Sequence, residues 1–138
     1  MISCPLEVLD WDACLSLAGT QPIGRLGITR DALPIIMPVA FSLLDGTPVF
    51  KVGAGAVQRA ATQGAVCCFE VDSANADWTA AWSVMMIGRL AVIEDALTID
   101  RAGELGLPTW PDQVNASTVF VRLVPQLVTG RLGGAAGQ

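Results

Sequence analysis

The stretch from Ala81 to Asp95, AWSVMMIGRLAVIED, is long enough for a whole strand and apolar on both of the faces a strand would present. Such a strand needs cover on both sides. One face can line a small barrel, and the other can meet a partner subunit. Of the 138 residues, 52% are hydrophobic and 15% charged, where about 25% charged is ordinary for a soluble domain. That shortage of charge points to a large apolar interface, most simply a homodimer. At this length one domain is expected, spanning 1–132, with a flexible Gly/Ala-rich tail at 133–138.

Before that strand, WDACLSLA reads as a helix, with Asp10 to cap it and Gly19 to end it. PIGRLGIT (Pro22 to Thr29) and PIIMPVAFSLL (Pro34 to Leu44) read as strands either side of the turn RDAL. Asp45-Gly46 is a hairpin signal, and TPVFKV follows as a third strand, so the three form an antiparallel meander. GAGAVQRAATQG is a glycine-opened helix stopped by Gly64, AVCCFEVD a strand, and Leu97 to Gly106 a short helix. The last strand, TVFVRLVPQLVTGRL, is interrupted at Pro125, which marks an edge or a bulge. Six mostly consecutive strands with two or three short helices exclude a doubly wound sheet. The expected fold is mainly β, a six-stranded antiparallel barrel.

Eight basic residues against thirteen acidic ones leave a net charge of −5, with no Lys/Arg cluster. A nucleic-acid backbone is gripped by such clusters, so nucleic acid is not an expected partner, nor is an anionic membrane surface. No apolar run approaches the roughly 20 residues of a membrane helix, and MISCPLEVLDWD lacks a signal-like segment; the expected location is cytoplasmic. The four cysteines form no CxxC pair and the chain has no histidine, so no metal site is expected. Cys67 and Cys68 are expected as two small buried thiols. The missing histidine also removes Ser-His-Asp and Cys-His catalysis, and the carboxylates are scattered. No catalytic residue is assigned, and any chemistry has to be borrowed from a ligand.

The sharpest local feature is VFKVGAGAVQRAA: a strand, a glycine turn, then a helix. Gly53-Ala54-Gly55 is the first half of a dinucleotide fingerprint, but Gln58 replaces the third glycine, and no P-loop pattern is present. A glycine turn opening a helix presents backbone N–H groups to an anion. Lys51, the only lysine in the chain, lies two residues before it. A plain helix start beside a surface lysine is the competing reading, and the loop alone leaves both open.

The order and spacing of LDWDACLSLAG, PIGRLGIT, LPIIMPVAF, the DG turn before VFKV, GAVCCFEVD, AWSVMMIGRLAVIED and LVTGRL resemble the pyridoxamine 5'-phosphate oxidase-like family. These are the flavin-binding split barrels, and the likeness is to their short actinobacterial-type members, from about Leu9 to Leu132. The resemblance implies a six-stranded split barrel, a homodimer, and flavin mononucleotide (FMN) at the dimer interface. It matches Lys51 to the basic position that holds the phosphate, followed by Val52, Gly53 and Gly55 of the loop. Pro38 and Val39 would lie along the isoalloxazine ring, and Trp82 and Ser83 would come from the long strand, of the same or of the other subunit. The positions that carry a Ser-Lys pair in such families read Ala56 and Val57 here. Two missing charge-assisted hydrogen bonds forfeit about 3–6 kcal/mol, on the order of 10²–10⁴ in affinity.

Three functions stay open at this stage. One is an FMN-binding, oxidoreductase-like protein of unspecified substrate. Another is a deazaflavin-dependent reductase on the same fold. The third is a non-catalytic dimeric binding protein without the cofactor.

Overall fold

The strands form one antiparallel sheet that curls until the chain passes from one edge of it to the other. In the computed structural model, residues 7–111 and 116–133 are described. In chain order the elements are β1 (Glu7–Val8), α1 (Trp11–Ala18), β2 (Ile23–Arg30), β3 (Leu33–Ala40), β4 (Ser42–Leu44), β5 (Thr47–Val52), α2 (Ala56–Thr62), β6 (Val66–Ala74), β7 (Ala81–Val92), α3 (Ala96–Gly103) and β8 (Val119–Gly133). The sheet runs β3-β2-β6-β7-β8-β5-β4, with β1 pairing β8. β3 and β4 are opposite ends of that order, yet only Phe41 separates them in the chain. A flat sheet cannot satisfy this, whereas a curled one brings its ends together.

The split barrel is therefore found, with more strands than expected. The apolar run from Pro34 to Leu44 breaks at Phe41 into β3 and β4, and the short β1 adds another. Phe41 turns inward, packing edge-on against Phe69 at 4.9 Å, so that one residue joins two strands and plugs the core. The meander is corrected to two separate hairpins, since among the described residues β3 pairs β2 alone and β5 pairs β4 and β8. The tail residues after Gly133, and Cys4, lie outside the described residues.

Alternation does the sorting. Leu26, Phe50, Phe69, Met86, Leu90 and Leu123 point into the barrel and are fully buried. Each such side chain stabilises the fold by about 1.5–3 kcal/mol. Phe69 lies over Gly24, where a Cβ would strike its ring. A second, smaller cluster forms outside the barrel beneath α3: Val49, Ile93 and Ala102, with Leu105, Leu107 and Phe120 against them. Asp10 caps α1 by accepting from the Ala13 N–H at 2.8 Å, and Asp95 caps α3 by accepting from the Thr98 N–H at 2.8 Å. Pro125 marks a bulge in the ladder with β7, and it lies beyond the stretch of β8, Val119 to Arg122, that pairs β5, so the expected irregularity is found there. Cys67 is buried as expected, but Cys68 is exposed, because neighbours on a strand face opposite ways.

Candidate functional site

Along β5, Phe50 and Val52 enter the barrel while Val49 and Lys51 face outward. Lys51 stands opposite Phe120 of β8, and its Nζ lies 6.0 Å from the centre of that ring. Among the described residues it makes no ion pair within 4 Å. An ammonium that faces a ring and carries no ion pair among the described residues is available to an anion.

The loop after it divides by direction. Gly53 is buried, and at Gly55 a Cβ would meet nothing within 4 Å. Ala56 packs at the edge of the core, and Val57 is buried in it at 3% exposure. Val57 thus turns its side chain away from any ligand on the outer face, leaving only backbone to the loop side. The helix α2 that follows is seven residues long and carries no side-chain cap at Gly55. So short a helix adds little to the field of Lys51.

On β3, Pro38 is exposed on the outer face and Val39 is buried in the barrel. Only the backbone of Val39 can border a ligand there. The curl brings β3 against β5, so Pro38 and Lys51 belong to one end of the molecule. The neighbouring Ala40 N–H donates to the Trp110 carbonyl at 3.3 Å.

Trp82 and Ser83 stand elsewhere. Lys51 is level with Phe120, whose carbonyl accepts from the Ile93 N–H at 2.9 Å. Trp82, the second residue of β7, stands opposite Leu132 and packs against the core, and Ser83 is opposite Arg131. From position 82 to 93 the strand runs roughly 35 Å at ~3.3 Å per residue. Within one chain, therefore, the ten expected residues do not form a single site.

Near Ser83 the outer face carries an ion cluster that sequence reading passed over. Arg25 Nη1 donates to Glu70 Oε1 at 3.2 Å and to Asp72 Oδ2 at 3.3 Å. Burial, then the adjacent Asp72, raise the Glu70 carboxyl to about 7 against the pull of Arg25. The signal was present in CFEVD, where a period of two puts Glu70 and Asp72 on one face. Arg25 finds its partners inside its own chain, and Arg89 donates to the Gly64 carbonyl at 2.9 Å. The Cys67 thiol is pushed up to about 12, by burial first and the neighbouring Cys68 second.

A separate groove of about 600 Å³ lies between α2 and the end of β7, bordered by Gln58, Thr62, Gly64, Val92 and Glu94. Its one charged lining residue is a carboxylate, which does not suit a phosphate. Among the described residues no group of His, Cys, Asp and Glu is placed to hold a metal ion. No helix among them is long and apolar enough to cross a membrane.

Residues 10–132 match the family model of pyridoxamine 5'-phosphate oxidase. The uncharacterized protein Rv0080 of Mycobacterium tuberculosis is 30% identical over 127 residues, 88% of this chain and 82% of its own. The solved FAD binding protein from Mycobacterium smegmatis superposes with a TM-score of 0.75 at 25% identity, over 91% of this chain and 98% of that one. A FAD-binding protein from Mesorhizobium loti shares the fold, with a TM-score of 0.72 at 17% identity over 95% of this chain and 98% of its own.

Proposed function

The chain belongs to the pyridoxamine 5'-phosphate oxidase family, and from that premise we propose that it binds a flavin, with FMN as the form, in an oxidoreductase-like role and as a homodimer. The observation that carries the reading is Lys51: an ammonium without an ion-pair partner among the described residues, on the outer face, beside a glycine loop. The residues fit a phosphorylated flavin in kind. Lys51 would hold the phosphate, the open side of Gly55 admits it closely, and the exposed Pro38 borders the ring. A bound flavin would supply hydride transfer at its ring. The chain has no histidine, so the protein's part is to position the ring and exclude water.

One observation supports the dimer. The outer faces of β3, β6, β7 and β8 leave Ile36, Val66, Met85, Val124 and Leu127 exposed, Ile36 at 75%. Large apolar side chains left exposed on the outer face of a sheet are what a second copy would cover. If Trp82 belongs to the site, as the resemblance implies, its distance from Lys51 along the sheet of one chain requires that a second copy donate it.

A deazaflavin brings further anionic groups, and the loop from Gly53 to Gln58 carries no charged side chain to receive them. A binding protein without cofactor is favoured by one observation, the burial of Val57. The test is the absorbance spectrum of the purified protein titrated with FMN. A bound yellow chromophore, or saturable binding that Lys51→Ala weakens while the dimer persists, supports the flavin reading. No binding at high micromolar FMN removes it.

A further inference from the structure

We infer that Trp110 is a ring-stacking residue of the flavin site, which rests on the flavin reading above. Its loop bridges two parts of the site, the surroundings of Lys51 and the end of β3. Leu105 and Leu107 pack into the cluster that holds Val49, two residues before Lys51 on the same face of β5, and Phe120, which stands opposite Lys51. Three residues after Leu107, the Trp110 carbonyl accepts from the Ala40 N–H at 3.3 Å, two residues beyond Pro38. Three residues of extended chain span about 10 Å at most. Trp110 is thus fixed between the neighbours of Lys51 and the ring-bordering end of β3, close enough for one ligand to touch both.

The indole is held out rather than frayed. Thr109, directly before it, is buried at 7% exposure, and the carbonyl of Trp110 itself is bonded to β3. Between these two anchors the side chain is 47% exposed. A large aromatic surface kept in water by a pinned backbone is prepared for a flat apolar partner. Pro38, exposed on the same end of β3, offers the second apolar surface. Lys51 and Trp110 then divide the ligand between them, the ammonium taking the phosphate and the indole the tricyclic ring.

This division separates the variants. The full-length chain and its Trp110→Leu, Trp110→Phe and Lys51→Ala variants are titrated with riboflavin and with FMN, following flavin absorbance and fluorescence. Trp110→Leu, which keeps apolar bulk but cannot stack, weakens both ligands by the same factor, roughly three- to tenfold, and the bound flavin fluoresces more brightly. Trp110→Phe restores most of the affinity for both. Lys51→Ala weakens FMN alone. If Trp110→Leu binds both flavins as the wild type does, or loses FMN while keeping riboflavin, the assignment of Trp110 falls and the flavin reading stands. If the wild type binds neither ligand, the flavin reading itself falls and takes this assignment with it.

Discussion

Gly88 of β7 stands opposite Pro125 of β8, while the preceding pair is Ile87 opposite Leu127, so that Gln126 is an extra residue on the β8 side. The two residue types answer the same constraint. Proline has no N–H to give to a ladder, and a bulge is where a ladder can spare one. Glycine opposite it lets the Val124 carbonyl come where a Cβ would otherwise stand. A bulge bends its strand and increases its twist, here in the pair of strands with the longest shared ladder.

Gly88→Ala is therefore expected to destabilise the protein sharply. The obstruction is backbone, the carbonyl of Val124, so no change of rotamer relieves it. Overpacking of this kind costs roughly 1–3 kcal/mol, a fall of roughly 3–10 °C in Tm for a domain this size. Thermal unfolding followed by circular dichroism measures it. A variant melting with the wild type would mean that β7 and β8 do not meet in this register.

How much of this was legible follows from which forces are local. α1 and its Asp10 cap, β5 at TPVFKV and the Pro125 irregularity are written in neighbouring residues, and sequence reading finds them. The break at Phe41 is not, because it lies inside an unbroken apolar run and arises only when the two sheet edges have to meet. The turn at Asp31 and Ala32 adopts positive φ angles of 50° and 64° without a glycine to announce it. For the site, residue choice was legible and direction was not. Lys51 and Pro38 face outward, whereas Val39, Val52 and Val57 turn into the core. The exposure of Trp110 depends on Thr109 and Ala40, one of them seventy positions away in the chain.

Glu70 should make stability depend on pH near neutrality. Its folded pKa of about 7 lies above the ordinary 4.5, so the folded chain holds this proton more tightly than the unfolded one. The contribution is fully present below about 4.5 and is lost as pH rises through about 7. Asp45, Asp77 and Asp95 are shifted the other way, by hydrogen bonds from Arg101, Thr79 and Thr98 respectively. Their contributions disappear only below about pH 4. Between pH 5 and 8 the Tm should fall for the wild type and stay nearly flat for Glu70→Gln. Parallel curves for the two proteins would show that Glu70 has an ordinary pKa.

Phosphate binding through a single ammonium has a signature in salt. Removing one charge-assisted contact costs roughly 1.5–3 kcal/mol, about ten- to hundredfold in Kd, and Lys51→Ala should show that loss for FMN. Raising the ionic strength should weaken FMN for the wild type, since exposed charges are screened over about 8–10 Å, and leave riboflavin unaffected. In Lys51→Ala the salt dependence should largely vanish. If it persists, the phosphate is held by another cation.

The separation of Lys51 from Trp82 gives the most exacting prediction. If two copies close each site, Leu127→Asp, which puts a charge on the exposed apolar face of β8, should yield a monomer by sedimentation and lose flavin binding, although Leu127 itself need not touch the ligand. The same geometry predicts complementation. Lys51→Ala and Trp82→Ala are each expected to bind FMN weakly as homodimers, because every site lacks one partner. Mixing them through a cycle of dissociation forms heterodimers in which one site unites the intact Lys51 of one copy with the intact Trp82 of the other. An equal mixture should then recover about one quarter of the sites at wild-type affinity, the fraction expected for random pairing in a two-fold dimer. A site contained within one chain gives no recovery, because no exchange of subunits can bring an intact Lys51 and an intact Trp82 into the same copy.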